Sequence, residues 1–271
     1  MGYLRAALQD VLTPEELGFL PKGFDRIGHV AIISLPPQLK EKSAEVGLAL
    51  LQLRGVRTVA LKGRVVGRYR IPQLKIIAGE RLTETTYREH NCIFKMDVSK
   101  VMFSVGNLYE RGRIAKLVRP GETIVDLFAG VGQFSIPIAK HSETHKIFSI
   151  ELNPVAYGYL CENIRLNKVG SVVEPLLGDC EKVAPLGVAD RVIMGILHVT
   201  HRYLSLAIQV LKPSGGVIHY HESAPHGMRF ERPVERILAA AAGRRVEILN
   251  KHLVKRYSPG VDHVVIDAKI T

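Results

Sequence analysis

The segment Thr-Ile-Val-Asp-Leu-Phe-Ala-Gly-Val-Gly-Gln-Phe, residues 123–134, confines this chain to a narrow set of folds. Ile124 to Leu127 is an apolar run suited to a buried strand. Gly130 and Gly132 then give a turn that a ligand can approach closely, and the helix start behind it offers unpaired N–H groups. A dinucleotide site uses the same strand, turn and helix with a third glycine, which seats a pyrophosphate. Here Ser135 stands in the third place and the carboxylate of Asp126 opens the turn. An acid so close repels a pyrophosphate. It suits a nucleoside carrying an ammonium and a sulfonium, which is S-adenosylmethionine (AdoMet). A second apolar run, Lys146 to Glu151, ends in an acid placed to accept both ribose hydroxyls.

From Glu122 onward the strand and helix patterns alternate. Strands are expected over 123–127, 146–151, 172–177, 190–194 and 216–221, with helices between, which is a helix-covered parallel sheet. The β-branched tail Val264 to Ile270 is expected to close the sheet edge. Gly178-Asp179-Cys180 follows the third strand, where an acid reads an adenine amino group and the next backbone N–H reads its ring. Residues 1–20 read as a helical lead with a cap at Thr13-Pro14-Glu15-Glu16. His29 to Leu35 reads as strand, Gln38 to Leu53 as helix, Arg57 to Lys62 as strand and Arg64 to Arg70 as a basic loop. Short strands follow from Leu74 to Asp97. The expected organisation is a small α+β domain over 1–100, then a Rossmann-like class I AdoMet-dependent transferase domain with a mostly parallel sheet over 101–271.

No apolar run approaches the ~18–20 residues that span a bilayer, and the first residues lack a signal peptide's apolar region. The three cysteines are far apart, with no disulfide or zinc spacing, which fits a reducing cytoplasm. The net charge is +11, and Arg54, Arg57, Lys62, Arg64, Arg68, Arg70, Lys75 and Arg81 crowd one region. That favours a nucleic-acid substrate, with Arg64 and Arg68 as candidate RNA contacts, over a merely solvated basic face. No obligatory protein partner is evident.

Met102 to Arg111 lies where a segment can cross the open end of the cofactor. A guanidinium binds a carboxylate with two parallel bonds, so Arg111 can clamp the methionine carboxylate, and Ser104 can bond the same tail. The spacing equally allows a helix start with Arg111 on a solvated face. After the fourth strand, Met194-Gly195-Ile196-Leu197 holds no Asn, Asp or Pro. It cannot supply the Asn/Asp-Pro-Pro-Tyr site that orients planar amines. His198, His201 and His219-Tyr220-His221-Glu222 read as polar strand-end and substrate-facing groups, not as a metal site.

Further segments match one family. They are Ala78-Gly79-Glu80, Glu89 to Phe94, Phe103-Ser104, Glu110-Arg111, Asp126 to Phe134, Ile150 to Pro154, Glu162 to Asn167, Asp190 to His201, Gly216 to Tyr220, Lys255 to Gly260 and His263 to Val265. From about residue 25 to its end the chain resembles the archaeal and eukaryotic enzymes acting on guanosine 37 of tRNA. One branch methylates the guanine ring. The other transfers the 3-amino-3-carboxypropyl group of AdoMet to the tricyclic wyosine precursor, 4-demethylwyosine, of tRNA(Phe), releasing methylthioadenosine. The methylating branch has Ser-Pro-Arg where this chain has Ser104-Val105-Gly106-Asn107, and Asn-Leu-Pro where it has Gly195-Ile196-Leu197. Both departures point to the transfer branch. The resemblance implies AdoMet contacts at Ser104, Arg111, Glu151, Asp179 and Cys180, positioning by Asn107 and Arg111, and the anticodon stem-loop as partner. It names no general base. A methyltransferase of the same nucleotide, and a non-catalytic AdoMet- and tRNA-binding protein, are the alternatives.

Overall fold

The computed structural model describes residues 3–271, so the first two residues of the expected helical lead lie outside the described residues. The chain divides into two units, Met1–Val105 and Gly106–Thr271.

The first unit runs α1 (Tyr3–Leu8), α2 (Pro14–Gly18), β1 (Asp25–Ile27), β2 (Val30–Ile33), α3 (Ser43–Leu51), β3 (Thr58–Val66), β4 (Ile71–Gly79), β5 (Glu84–Glu89) and β6 (Cys92–Asp97). The cap of α2 forms as its residues dictate: Thr13 Oγ1 accepts from Glu16 N at 3.2 Å and Glu16 Oε2 accepts from Thr13 N at 2.8 Å. One sheet has the order β1-β2-β3-β4, with α3 crossing between the parallel pair β2 and β3; β5 and β6 form a separate ladder. Leu8, Leu39, Val46, Leu50 and Val59 form the apolar centre.

Two expectations change here. The helix expected over 38–53 is a tight turn at Pro37–Leu39 followed by α3 from Ser43. Bonds of the i→i+3 type, such as Lys42 N to Leu39 O at 3.2 Å, carry the chain between them. The basic loop expected over 64–70 is the end of a hairpin. β-branched Val65, Val66 and Ile71 keep pairing across it, and only Gly67 to Arg70 turn, with φ of +68° and +53° at its ends.

The second unit runs α4 (Leu108–Leu117), β7 (Thr123–Asp126), α5 (Ser135–His141), β8 (Lys146–Glu151), α6 (Pro154–Asn167), β9 (Val173–Leu177), α7 (Cys180–Val183), β10 (Arg191–Met194), α8 (Leu204–Val210), β11 (Gly216–Pro225), α9 (Glu231–Ala240), β12 (Val246–Ser258) and β13 (Val261–Ile270). The sheet order is β12-β13-β11-β10-β7-β8-β9. The five strands from β11 to β9 are mutually parallel, and the β12–β13 hairpin joins antiparallel to β11. The order reverses at β7, so the crevice beyond its carboxyl end is where such a sheet seats a ligand. No helix of the described residues is long and apolar enough to cross a membrane.

The edge expectation is corrected. β13 lies inside the sheet and β12 forms the edge. Its polar run, with Glu247, Lys251, Lys255 and Arg256, suits a strand with one open side. β11 also runs four residues beyond its expected end, so His219, Tyr220, His221 and Glu222 are buried within the sheet instead of facing a substrate at a strand end.

Candidate functional site

The turn after β7 is held by acids from two strands. Asp126 is fully buried, and its Oδ2 accepts from Ser135 Oγ at 2.9 Å while its Oδ1 accepts from Phe128 N at 3.3 Å. Ser149 Oγ of β8 donates in turn to Ser135 Oγ at 2.7 Å. The serine in the third glycine's place is thus a brace beneath the turn. Burial pushes the Asp126 carboxyl up to about 7, against the two hydrogen bonds it accepts. Glu151 Oε2 accepts from Gly130 N at 2.8 Å and Oε1 from Asn153 N at 2.7 Å. Each of these oxygens keeps a second lone pair for a hydroxyl. Burial raises the Glu151 pKa above the usual carboxylate value.

Gly132 has φ +92°, and a Cβ there would lie 2.5 Å from Ile136 Cδ1 and 3.0 Å from Leu160 Cδ1. The glycine therefore lets α5 and α6 close beneath the turn. Asn163 Nδ2 of α6 donates to Val131 O at 3.1 Å and fixes the same backbone. Beyond β9, Gly178 N donates to Glu151 O at 3.0 Å, bringing Asp179 and Cys180 beside the acid of β8. Asp179 caps α7, its Oδ1 accepting from Glu181 N at 3.2 Å. The Cys180 thiol is buried in the core, and burial pushes it up to about 12, ahead of the charges of Asp179 and Glu181. Only its backbone is suited to meeting a polar ligand.

Arg111 is fully buried, and its Nη1 donates to Gln133 Oε1 at 3.3 Å. Gln133 belongs to the glycine turn, so the arginine of α4 reaches that turn and does not lie on a solvated face. Asn107 stands four residues earlier, at the end of a 3-10 turn that leads into α4. It is 8% exposed, and its Oδ1 has no hydrogen-bond partner among the described residues. Ser104 is half-buried and falls in the first unit.

A buried polar network that no motif signals fixes α4. Glu110 accepts from Arg113 Nε at 2.9 Å and Nη2 at 2.8 Å, and Arg113 also bonds Asp267 of β13. Asp267 Oδ1 lies 2.6 Å from His219 Nδ1, and His219 Nε2 lies 2.7 Å from Arg191 Nη1. An arginine can only donate, so His219 Nε2 accepts and Nδ1–H donates to Asp267. Burial lowers the His219 pKa, keeping the ring in that neutral form. Burial works to raise Asp267, but the bonds from His219 and Arg113 reverse this and hold it well below the usual carboxylate range. Arg191 closes the circuit, bonding Glu122 at 2.8 Å and Leu117 O, at the end of α4, at 2.9 Å. The i,i+3 spacing of Glu110 and Arg113 hints at a pair; nothing local points to Asp267.

Past β10, Gly195 lies against Phe134, whose ring a Cβ at that position would meet at 2.9 Å. His198 follows with φ +72°. In the first unit, Arg64 and Arg68 are exposed near the β3–β4 hairpin end, and Arg68 stacks on Tyr69 at 5.6 Å from its centroid.

A family model described as the TRM5/TYW2 methyltransferase domain matches residues 85–249, and one described as the TYW2 N-terminal domain matches residues 4–83. The chain is 41% identical over 249 residues to the tRNA(Phe) (4-demethylwyosine(37)-C(7)) aminocarboxypropyltransferase of Methanocaldococcus jannaschii, spanning 91% of this chain and 97% of that one. It is 42% identical over 266 residues to the tRNA (guanine(37)-N(1))-methyltransferase Trm5b of Pyrococcus abyssi, spanning 96% of this chain but 79% of that one. The crystal structure of P. horikoshii TYW2 in complex with MeSAdo superposes with a TM-score of 0.83 at 35% identity, over 98% of this chain and 97% of that one. The Rossmann-like AdoMet fold expected from the glycine turn is the fold of these relatives. Identity does not separate the two branches. Matched along both of its units, this chain belongs to the TRM5/TYW2 family.

Proposed function

We infer that this chain is an AdoMet-dependent tRNA aminocarboxypropyltransferase that modifies 4-demethylwyosine at position 37 of tRNA(Phe) and releases methylthioadenosine. The observation that carries this reading is the likeness to two aminocarboxypropyltransferases, at 41% and 36% identity, and to TYW2 in complex with MeSAdo. The departures at Gly106 and at Gly195-Ile196-Leu197 support it.

AdoMet supplies a sulfonium with three electrophilic carbons, and the carbon in line with the nucleophile is the one that reacts. The chain's residues decide that alignment. Glu151 holds the ribose hydroxyls. Asp179 and the Cys180 N–H read the adenine. Gly130 and Gly132 leave room above the turn that Asp126 braces. Arg111 takes the carboxylate of the methionine tail, and the Asn107 Oδ1, which lacks a partner among the described residues, accepts from its ammonium. Ser104 adds a bond to the same tail. A tail clamped at both polar groups presents its γ-carbon in a fixed direction. Arg64 and Arg68 bind phosphates of the anticodon stem-loop. The reaction belongs to the cytoplasm, where both substrates are found.

Chromatography of a reaction with AdoMet and tRNA carrying the tricyclic precursor tests this reading. Methylthioadenosine is the expected product. S-adenosylhomocysteine as the main product would move the chain to the methylating branch. Arg111→Ala should lower the rate and also weaken AdoMet binding, since the contact exists before reaction.

A further inference from the structure

The acceptor in this reaction is a ring carbon that carries a hydrogen, so the reaction is complete only when that proton has left. The carboxylates around the carboxyl edge of the sheet are committed elsewhere. Glu110 is fully buried on Arg113, Glu222 is held by Tyr220, Arg232 and Arg236, and Asp126 braces the turn. One cluster at that edge is differently built. His198 Nδ1 lies 3.0 Å from Ser223 Oγ, and its Nε2 lies 3.1 Å from the Tyr257 hydroxyl. The ring of Tyr257 meets the imidazole edge-on at 5.1 Å and is 44% exposed.

Three observations place this cluster beside the reacting centre. His198 follows β10, the strand next to β7. His221 packs on Phe134, at the start of the helix behind the glycine turn, with centroids 5.3 Å apart. Ser223 is two residues further along β11, on the same strand face, which advances it roughly 7 Å toward the carboxyl edge. His198 is thus held one step outward from the glycine turn. Tyr257 comes from the end of β12, whose turn with β13 lies at this same edge, Val261 pairing with Pro225. The backbone adds its own sign. At φ +72° His198 sits in the left-handed region, a costly conformation kept where surrounding contacts impose it, commonly at functional sites.

We propose that Tyr257 and His198 form a proton relay that deprotonates the acceptor ring carbon. The inference rests on the aminocarboxypropyltransferase reading. A ring π pair forms the bond to the γ-carbon, and the γ-carbon–sulfur bond breaks with its electrons passing to sulfur, which leaves as a neutral thioether. The ring carbon's proton then passes to Tyr257 Oη while the phenol's own proton moves to His198 Nε2. The C–H pair returns to the ring and restores its aromaticity. Ser223 Oγ accepts from Nδ1–H throughout, which holds the imidazolium in place, and exposed His198 passes the extra proton to water.

Tyr257→Phe removes the relay hydroxyl and keeps the ring, and His198→Asn suits the left-handed backbone. Each is compared with the wild type using AdoMet and precursor tRNA with hydrogen or deuterium on the acceptor carbon. Wild type should release methylthioadenosine with little isotope effect. Both variants should lose about 100-fold in turnover at saturating tRNA, the scale of a general base, and should now show a primary deuterium effect. Their AdoMet affinity by calorimetry, tRNA affinity by filter binding and unfolding midpoint should match the wild type. Unchanged turnover, or a loss confined to tRNA affinity with no isotope effect, would overturn the relay. If the wild type itself makes no methylthioadenosine, the reading beneath the inference has failed instead.

Discussion

Arg113 and Asp267, 154 residues apart in the chain, meet in the interior through two bonds of 2.6 and 3.1 Å. The pair ties the helix carrying Arg111 to a strand near the far edge of the sheet. Arg113→Ala strands the carboxylates of Glu110 and Asp267 in a buried site, which should cost about 3–5 kcal/mol of stability. Urea unfolding measures it. AdoMet affinity should fall as well, because α4 loses one of its anchors. An unfolding midpoint equal to the wild type's would show that the network is not holding the helix.

Glu151→Ala removes the proposed acceptor of both ribose hydroxyls and the partner of Gly130 N. A hydrogen bond to a charged group contributes about 1.5–3 kcal/mol, so the AdoMet dissociation constant should rise about tenfold or more. Calorimetry giving the wild-type value would remove Glu151 from the cofactor site.

Gly132→Ala places a methyl group 2.5 Å from Ile136 and at a φ of +92°. Stability should fall by more than about 1 kcal/mol, and AdoMet should bind more weakly. Gly227→Ala is the control, because nothing lies within 4 Å of its Cβ and its φ is not positive. Equal melting temperatures for the two variants would contradict the close packing beneath the turn.

Tip arginines that bind phosphate make affinity depend on salt. Arg64→Ala with Arg68→Ala should weaken tRNA binding and flatten the slope of log affinity against log salt by roughly one unit for every phosphate that is no longer neutralised. AdoMet binding should not change. If the double variant keeps the wild-type slope, the hairpin tip is a solvated face.

The buried pair His221 and His263, 3.0 Å apart, predicts a pH dependence of stability. Burial, and then the charge of His263, lowers His221 well below its ordinary value. Burial, and then Lys255 and His252, lowers His263 to about 3. Below the ordinary histidine value of about 6.5 the unfolded chain takes up protons that the folded chain does not. Stability is therefore full above that value and falls as pH drops toward the folded values, by up to about 1.4 kcal/mol per pH unit for each group. Asp126, raised to about 7, acts oppositely, its contribution fading as pH rises toward 7. It is common to wild type and variants, so the comparison removes it. His221→Gln with His263→Gln should show a shallower fall in urea midpoint between pH 6.5 and 4. Parallel pH profiles would rule the pair out as the source.

Much of the candidate cofactor site is legible locally. Ile124 to Gly132 and Lys146 to Glu151 declare strand, turn and acid within a few residues, and the structure joins them through Gly130 and Glu151. Long-range features are not. No spacing links Arg113 to Asp267. The run Arg64 to Arg70 looks like a loop because its charges mask the pairing of Val66 with Ile71. The end of β11 is easily misplaced because His219 and His221 look polar, although they are neutral and paired inside the sheet. The edge strand β12 escapes notice because most of its residues face water and four of them carry charge.

The bonds from Glu151 to Gly130 and from Ser135 to Asp126 have a consequence for the order of events. The turn takes its shape when the chain folds, so the nucleoside meets a surface whose loops need little further immobilisation. AdoMet can then dock with or without RNA in place, and the protein can circulate already charged with its donor. Discrimination among RNAs then falls to contacts that the donor does not make.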